Sequence, residues 1–229
     1  HRDLHSFPTR RSSDLPARVV SEQYSGRTAG YHHMETVYDD QDKDTGVLKP
    51  LKLSLRLREH TFGARHPCVA SSHHNLGSVC ADQGNYEEAL KYLKYGLQLR
   101  TAALGKHHPD VAASFHAVGS VYRTQGNYEE ALKYLKYGLQ LRIAALGKYH
   151  PDVAASYDNI GSVYAYQGDY AEALKYLKQG LQLKLASLGE HHPSVATSYN
   201  NIGSVYAYQG NYAEALKHLK QGLQLLADA

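Results

Sequence analysis

The chain has 229 residues, enough for one or two domains, and is 42% hydrophobic and 21% charged, a composition that supports a packed core. Its formal net charge of +3 is weak for a nucleic-acid binder, no apolar run approaches membrane-spanning length, and no signal peptide is visible or expected. The two cysteines, Cys68 and Cys80, exclude a disulfide framework. Twelve residues apart on one predicted helix, they would stand about 18 Å apart, beyond the ~7 Å reach of a disulfide. Reduced thiols and a cytoplasmic chain follow as expectations.

Residues 1–15, HRDLHSFPTRRSSDL, resemble a translated sequencing adaptor and are set aside as a processing scar. The run His1-Arg2-Asp3-Leu4 imitates a protein-kinase catalytic loop, but Pro8 stands where that loop needs Asn and no Asp-Phe-Gly follows. Residues 16–30 are mixed in character, and a disordered lead-in is expected there. Residues 31–63 carry Tyr31, Met34, Tyr38, Val47, Leu51 and Leu55 in the register of the repeat that fills the rest of the chain. Pro50 falls where the second helix of such a unit would run, so the helix is predicted to begin near Pro50 and to end at about Phe62. This decayed unit is expected to cap the array at its start.

From residue 66 onward the sequence repeats every 42 residues. Pro67, Pro109, Pro151 and Pro193 are each preceded by histidine, and residues 151–183 differ from 193–225 at five of thirty-three positions. Self-similarity at such a period signals stacked supersecondary units. The units are assigned to 66–105, 108–147, 150–189 and 192–229.

Each unit reads as two helices. In the second, Pro109 suits the first helical position and Asp110 suits the helix dipole. Val111, Phe115, Val118 and Tyr122 form one apolar stripe. Gln125-Gly126-Asn127 then breaks the helix. Asn127 is placed to cap the next one, with Glu130 in a capping-box arrangement. The second helix is predicted over Tyr128 to Leu146 and stops at Gly147. Glu129 and Lys133 stand four apart in the favourable order. Two glycine columns imply steric demand, since each costs up to ~1 kcal/mol relative to Ala in a helix. Gly77, Gly119, Gly161 and Gly203, facing Ala89, Ala131, Ala173 and Ala215, are expected to let the two helices of a unit touch. Gly96, Gly138, Gly180 and Gly222 are expected to touch the next unit.

An aromatic residue, then an apolar-Gly pair, a Tyr, an Ala and a large residue four later recur as Phe115, Val118-Gly119, Tyr122, Ala131 and Leu135. The set returns as Tyr157, Ile160-Gly161, Tyr164, Ala173 and Leu177, and again as Tyr199, Ile202-Gly203, Tyr206, Ala215 and Leu219. The pattern resembles tetratricopeptide repeats. The longer period and the Leu-Gly-x-x-His-Pro block, as in Leu146-Gly147 to His150-Pro151, are similar to the repeats of kinesin light chains. The first unit departs from the pattern, with His73 for the aromatic and Cys80 for the Tyr, so its packing is expected to be looser. The resemblance implies an all-α fold, a right-handed α-α superhelix of antiparallel helix pairs, and a non-catalytic scaffold that takes a protein or peptide ligand in its concave groove.

The residues themselves offer little chemistry beyond binding. His107-His108 and His191-His192 repeat two units apart, farther than the ~10 Å between adjacent packed helices. That is too far to share a metal, whose ligands lie about 2 Å away; capping is the expected role. Gly105-Lys106 and Gly147-Lys148 lack the rest of a phosphate loop, and no nucleophile-base set can be assembled. No cofactor is expected. Tyr92, Tyr134 and Tyr176 are expected to pack between helices.

The candidate groove residues follow the same register. Asn75, Asn159 and Asn201 hold a column in which the resemblance implies that an amide grips a peptide backbone through both its ends; Ala117 interrupts it. Ser78, Ser120, Ser162 and Ser204 are small and polar and leave room for a ligand. Selectivity is assigned to the variable positions His74, His116, Asp158 and Asn200, to Arg123, and to Tyr166 and Tyr208. Simple drift on a solvated face remains the alternative for any one of them, and so does a structural spacer with no specific ligand. The charge difference along the row implies a mixed-polarity peptide. The resemblance to kinesin light chains suggests segments rich in acidic residues around an aromatic. With only Arg123 cationic in these columns, a full clamp for a terminal carboxylate is not expected. The sequence stops before another Leu-Gly-x-x-His-Pro block, so truncation of a longer protein is expected. The last helix should then expose Leu216, Leu219 and Leu223, a surface for self-association.

Overall fold

The structure is a computed structural model that describes residues 46–227. The adaptor-like segment, the lead-in, the decayed unit up to residue 45 and residues 228–229 lie outside the described residues. Within them the order is α1 (Leu48–Phe62), α2 (Pro67–Asp82), α3 (Tyr86–Leu104), α4 (Pro109–Thr124), α5 (Tyr128–Leu146), α6 (Pro151–Gln167), α7 (Tyr170–Leu188), α8 (Pro193–Tyr208) and α9 (Tyr212–Ala227). No strand occurs among the described residues.

Local chemistry sets these boundaries. Pro67, Pro109, Pro151 and Pro193 each open a helix, and the histidine before each is the cap. The His108 Nδ1 accepts from the Asp110 N–H at 3.2 Å, and His192 does the same for Ser194 at 3.2 Å. Satisfying an orphan N–H of the first turn in this way is worth on the order of 1 kcal/mol. Asn127, Asp169 and Asn211 cap the second helices by accepting from Glu130, Glu172 and Glu214. The reciprocal arm of a capping box does not form in the second unit. The Asn127 N–H donates to the Tyr122 carbonyl at 2.9 Å, and the Glu130 carboxylate pairs with Lys133 at 2.6 Å. Lys133 therefore sits closer to Glu130 than to Glu129, 3.5 Å away.

The first described helix starts two residues before Pro50. Proline at the third helical position removes an N–H that has no intrahelical partner anyway, so the hydrogen-bond ladder survives.

The first glycine column does what its sequence demands. A Cβ on Gly161 would lie 2.8 Å from Leu177 Cγ and 3.1 Å from the Ala173 carbonyl, both on the partner helix of the same unit. The second column corrects the expectation. A Cβ on Gly96 would meet the Ala70 carbonyl at 3.0 Å and His73 Cβ at 3.2 Å, again within the unit. Gly138, Gly180 and Gly222 repeat this against α4, α6 and α8. Both columns therefore hold one hairpin together, near either end of its seam.

Contact between units is made by larger side chains. Leu135 and Leu139 of α5 share a core with Val153, Ile160 and Val163 of α6. Leu177 and Leu181 of α7 pack on Val195, Ile202 and Val205 of α8. Full burial of one such leucine contributes about 1.5–3 kcal/mol. Each hairpin thus covers its apolar face only by leaning on the next, the physical basis of an extended stack. Tyr134 packs on Phe115 and Tyr122, and Tyr176 on Tyr157 and Tyr164.

Two polar ladders also cross the seams between units, and neither was evident in the sequence. Lys94, Lys136 and Lys178 donate to the hydroxyls of Tyr122, Tyr164 and Tyr206 at 2.6, 2.6 and 2.9 Å. Arg58, Arg100 and Arg142 donate to Ser72, Ser114 and Ser156 at 2.5, 2.8 and 2.8 Å, and Lys184 donates to Ser198 at 2.7 Å. In the first unit Cys80 offers no hydroxyl, and Lys52 pairs with Glu88 at 3.2 Å instead. The departure there changes the bonding rather than the density, since Cys80 and His73 are both buried. Burial lowers the His73 pKa, and both its ring nitrogens lack a hydrogen-bond partner among the described residues.

Candidate functional site

The first helices of the units, α2, α4, α6 and α8, carry the candidate groove residues. Besides its sequence neighbours, α2 touches α4 and α6 touches α8, as expected on the crowded inner side of a curved stack.

The inner row has two chemically different halves. In the first, His74 is largely buried, and desolvation together with Arg100 takes its pKa down to about 4. His116 behaves alike, with its pKa brought to about 4 by burial and by Arg142 and Arg123. Both rings are therefore neutral at pH 7. Arg123 is half-buried and has no ion-pair partner among the described residues, so it is an available cation on this face. The Asn75 amide likewise has no partner among the described residues, while the Ser78 hydroxyl donates to the His74 carbonyl at 3.2 Å and Ser120 is half-buried.

Asn159 is committed to the protein. Its Nδ2 lies 2.9 Å from the Ala155 carbonyl and 2.6 Å from His116 Nε2. A neutral His116 accepts from the amide, which leaves only the Asn159 carbonyl end for a ligand. Asp158 is turned away from the groove altogether. It pairs with Lys184 inside the seam between α6 and α7, and both side chains are mostly buried. Burial pushes its carboxyl above the ordinary carboxylate value, opposed by the hydrogen bond and charge of Lys184. Asn200, its counterpart one unit on, packs its Oδ1 against Gly222, 2.5 Å from where a Cβ would stand. Helix rotation aims these two positions into the hairpin, so neither is offered to a ligand.

In the second half, Ser162, Tyr166, Asn201, Ser204 and Tyr208 surround one recess of about 460 Å³, completed by Ala165, Tyr170, Leu177 and Val205. None of these carries a charge. Tyr166 and Tyr208 are 64% and 70% exposed. Each lays one face on a tyrosine of the preceding unit, Tyr166 on Tyr128 at 6.2 Å and Tyr208 on Tyr170 at 6.4 Å. The other face is left open. The Asn201 amide makes no hydrogen bond among the described residues, so both its donor and acceptor ends are free. The sequence singled out five of the nine lining residues; Tyr170 and Leu177 reach the recess from the second helix, which single-helix periodicity could not show.

The tetratricopeptide repeat family model matches residues 51–102, 70–144 and 181–228, and a second model of the same repeat matches 153–194. The chain belongs to the tetratricopeptide repeat family. The fold is an all-α tetratricopeptide solenoid. No curated protein matches this tetratricopeptide protein significantly. Among solved structures, a kinesin light chain-like protein of Podosopora anserina with nearly identical TPR-like repeats superposes with a TM-score of 0.76 at 24% identity, covering 88% of this chain and 96% of that one. BtubC (BKLC) of P. vanneervenii gives 0.67 at 15% identity, covering 94% and 92%. MamA of Desulfovibrio magneticus RS-1 gives 0.62 at 17% identity, covering 88% and 96%. At these identities the likeness speaks for the fold alone. Tetratricopeptide arrays are generally non-catalytic scaffolds for protein–protein interaction. No cluster of three metal-ligating side chains occurs among the described residues. None of the described helices is long and apolar enough to cross a membrane.

Proposed function

We propose that this array binds an extended, mixed-polarity peptide of a partner protein along α4, α6 and α8. The observation that carries the reading is the convergence of Ser162, Tyr166, Asn201, Ser204 and Tyr208 on one uncharged recess, with Arg123, which has no ion-pair partner among the described residues, in the preceding part of the array. The recess suits an apolar or aromatic side chain, Asn201 suits the adjoining peptide group, and Arg123 suits an acidic side chain one unit away. Asn75 and Ser78 would line the approach from the first unit and Ser120 from the second, with Asn159 contributing its carbonyl end. The four units 66–105, 108–147, 150–189 and 192–229 form the binding array. A reducing, cytoplasmic setting accords with the two thiols, between which there is no disulfide.

Fluorescence anisotropy against a panel of peptides bearing an aromatic residue flanked by acidic ones tests the proposal. Binding that weakens roughly 5- to 30-fold in Asn201→Ala and in Tyr208→Ala, on the scale of one lost anchor, supports it. Absence of any peptide whose binding responds to these substitutions favours the spacer reading.

A second reading is favoured by α9, where Leu216, Leu219, Leu223 and Leu226 are 54%, 38%, 67% and 51% exposed. Their equivalents in α7 are covered by α8 or, at the last position, replaced by Lys184. Such a stripe suits self-association. Light scattering across a concentration series decides it, since a monomer at high concentration rejects the association.

A further inference from the structure

The third and fourth units are so alike that their helices are nearly interchangeable. Between residues 151–183 and 193–225 only five positions differ, and the hydrophobic seam residues Ala173, Leu177 and Leu181 are repeated as Ala215, Leu219 and Leu223. Hydrophobic complementarity therefore does little to stop α6 from pairing with α9, or α8 with α7, within one chain or between two. Wrong pairings of this kind are the characteristic failure of repeat proteins.

Two features separate the two units inside that seam: Tyr176 gives way to His218, which packs on the corresponding pair of tyrosines in its own unit, and one pair of polar positions changes together. At the position facing the partner helix the third unit has Asp158 and the fourth Asn200; at the position that answers it the third has Lys184 and the fourth Leu226. The two differences match each other. Lys184 Nζ contacts Asp158 Oδ2 on α6, Ser198 Oγ on α8 at 2.7 Å and the Ser194 carbonyl on α8 at 3.2 Å. A single buried ammonium thus joins three helices in one order. The first two units use a different pair at these positions, a neutral His74 or His116 with Arg100 or Arg142.

We propose that the Asp158–Lys184 pair is a pairing lock that enforces the order α6–α7–α8 against exchange with the fourth unit. If α6 pairs with α9, Asp158 faces Leu226 and a buried carboxylate loses its cation. If α8 pairs with α7, Lys184 faces Asn200 and loses its carboxylate. Leaving one member of a buried pair alone is strongly unfavourable, whereas the intact pair adds little stability over an apolar replacement. The pair therefore acts on the competing arrangements more than on the native one. The open Oδ1 of Asp158, buried without a partner, accords with a group kept for discrimination rather than for stability.

The test removes the difference without touching the native pair. Asn200→Asp with Leu226→Lys copies the lock into the fourth unit, where position 226 is half-exposed and tolerates lysine. The 229-residue chain and this variant are unfolded in denaturant, refolded at several concentrations and resolved by size-exclusion chromatography with light scattering. The expected result is a melting temperature close to that of the parent and a several-fold rise in the fraction of exchanged dimers and larger species after refolding. A complementary variant, Asp158→Asn with Lys184→Leu, erases the lock and is expected to raise the same species, whereas Lys184→Arg, which keeps the pair, is not. Refolding of both double variants to the parent's species distribution overturns the proposal. So does a rise in the Lys184→Arg control equal to theirs.

Discussion

The two halves of the array share a backbone plan and differ in what they place on its inner face. The first two units carry His74, His116 and Arg123, and an Asn159 amide already bonded to His116 closes that half. The last two carry tyrosines, serines and an uncommitted Asn201 around a recess. The glycine, alanine and leucine columns that build the hairpins run through both halves almost unchanged. The difference shows that the scaffold and the surface chemistry vary independently: the glycine, alanine and leucine columns are fixed by contact, and the groove positions between them are not.

The largest expected effect falls on the shared plan. Gly161→Leu drives a side chain into Leu177 and the Ala173 carbonyl, and overpacking of this kind costs on the order of 3 kcal/mol. The melting temperature should fall by roughly 10 °C, at the 2–4 °C per kcal/mol typical of this size. The same change at Gly203 should cost visibly less, because its neighbour Leu219 is partly exposed and has room to swing away. Equal losses at the two glycines would show that the end of the array is as tightly held as its middle. Scanning calorimetry makes the comparison.

Acid sharpens the contrast between halves. His74 and His116 have pKa values near 4 in the folded chain against about 6.5 when unfolded. The unfolded chain therefore binds more protons between these values, and stability falls as pH drops from about 6.5 toward 4. At pH 5 the loss should be on the order of 1–2 kcal/mol per histidine. Hydrogen exchange should show α2 to α5 opening first as pH falls, and His116→Gln should reduce the pH dependence. A pH-independent melting curve would refute the buried, neutral state of these rings.

At the groove, Arg123→Ala should weaken an acidic–aromatic peptide severalfold and flatten the salt dependence of binding, whereas Tyr208→Ala should weaken it at all salt concentrations. Anisotropy titrations at low and high salt separate the two, and identical salt slopes would break the assignment of one charged and one uncharged half. The smallest effect is expected in the ladder between units. Tyr164→Phe removes the hydroxyl that accepts from Lys136, a loss of about 1 kcal/mol, read as a small drop in urea midpoint with unchanged slope.

Much of the fold was legible because punctuation is local. Histidine before proline starts a helix and glycine ends one through contacts within a few residues, so Tyr128 and Leu146 could be placed from the sequence. The Gly161 column announced close approach for the same reason. The Gly96 column announced it too, but its partner is the backbone carbonyl of Ala70, and a carbonyl leaves no trace in side-chain pattern. The recess was half legible: exposed Tyr166 and Tyr208 stood out as variation between near-identical units, while Tyr170 and Leu177 looked like ordinary core. Asp158 was misplaced because a fraction of a helical turn separates groove from seam, and only Lys184, 26 residues away, tells which side it takes. The Arg–Ser rungs were missed because each joins residues 14 apart on different helices.

Glycines with positive φ occur once every 21 residues from Gly63 to Gly210, with φ between 76° and 85° throughout. The chain thus turns every corner after the same count and on a positive-φ glycine, although ψ differs between the two kinds of corner, 3° at Gly168 inside a hairpin and 152–166° at Gly63, Gly105, Gly147 and Gly189 between hairpins. Gain or loss of whole 42-residue modules by gene duplication or deletion would therefore leave the phase of every surviving corner intact. Such a molecule is free to change its reach over evolutionary time in fixed steps, as a measuring rod does, without being redesigned at the joints.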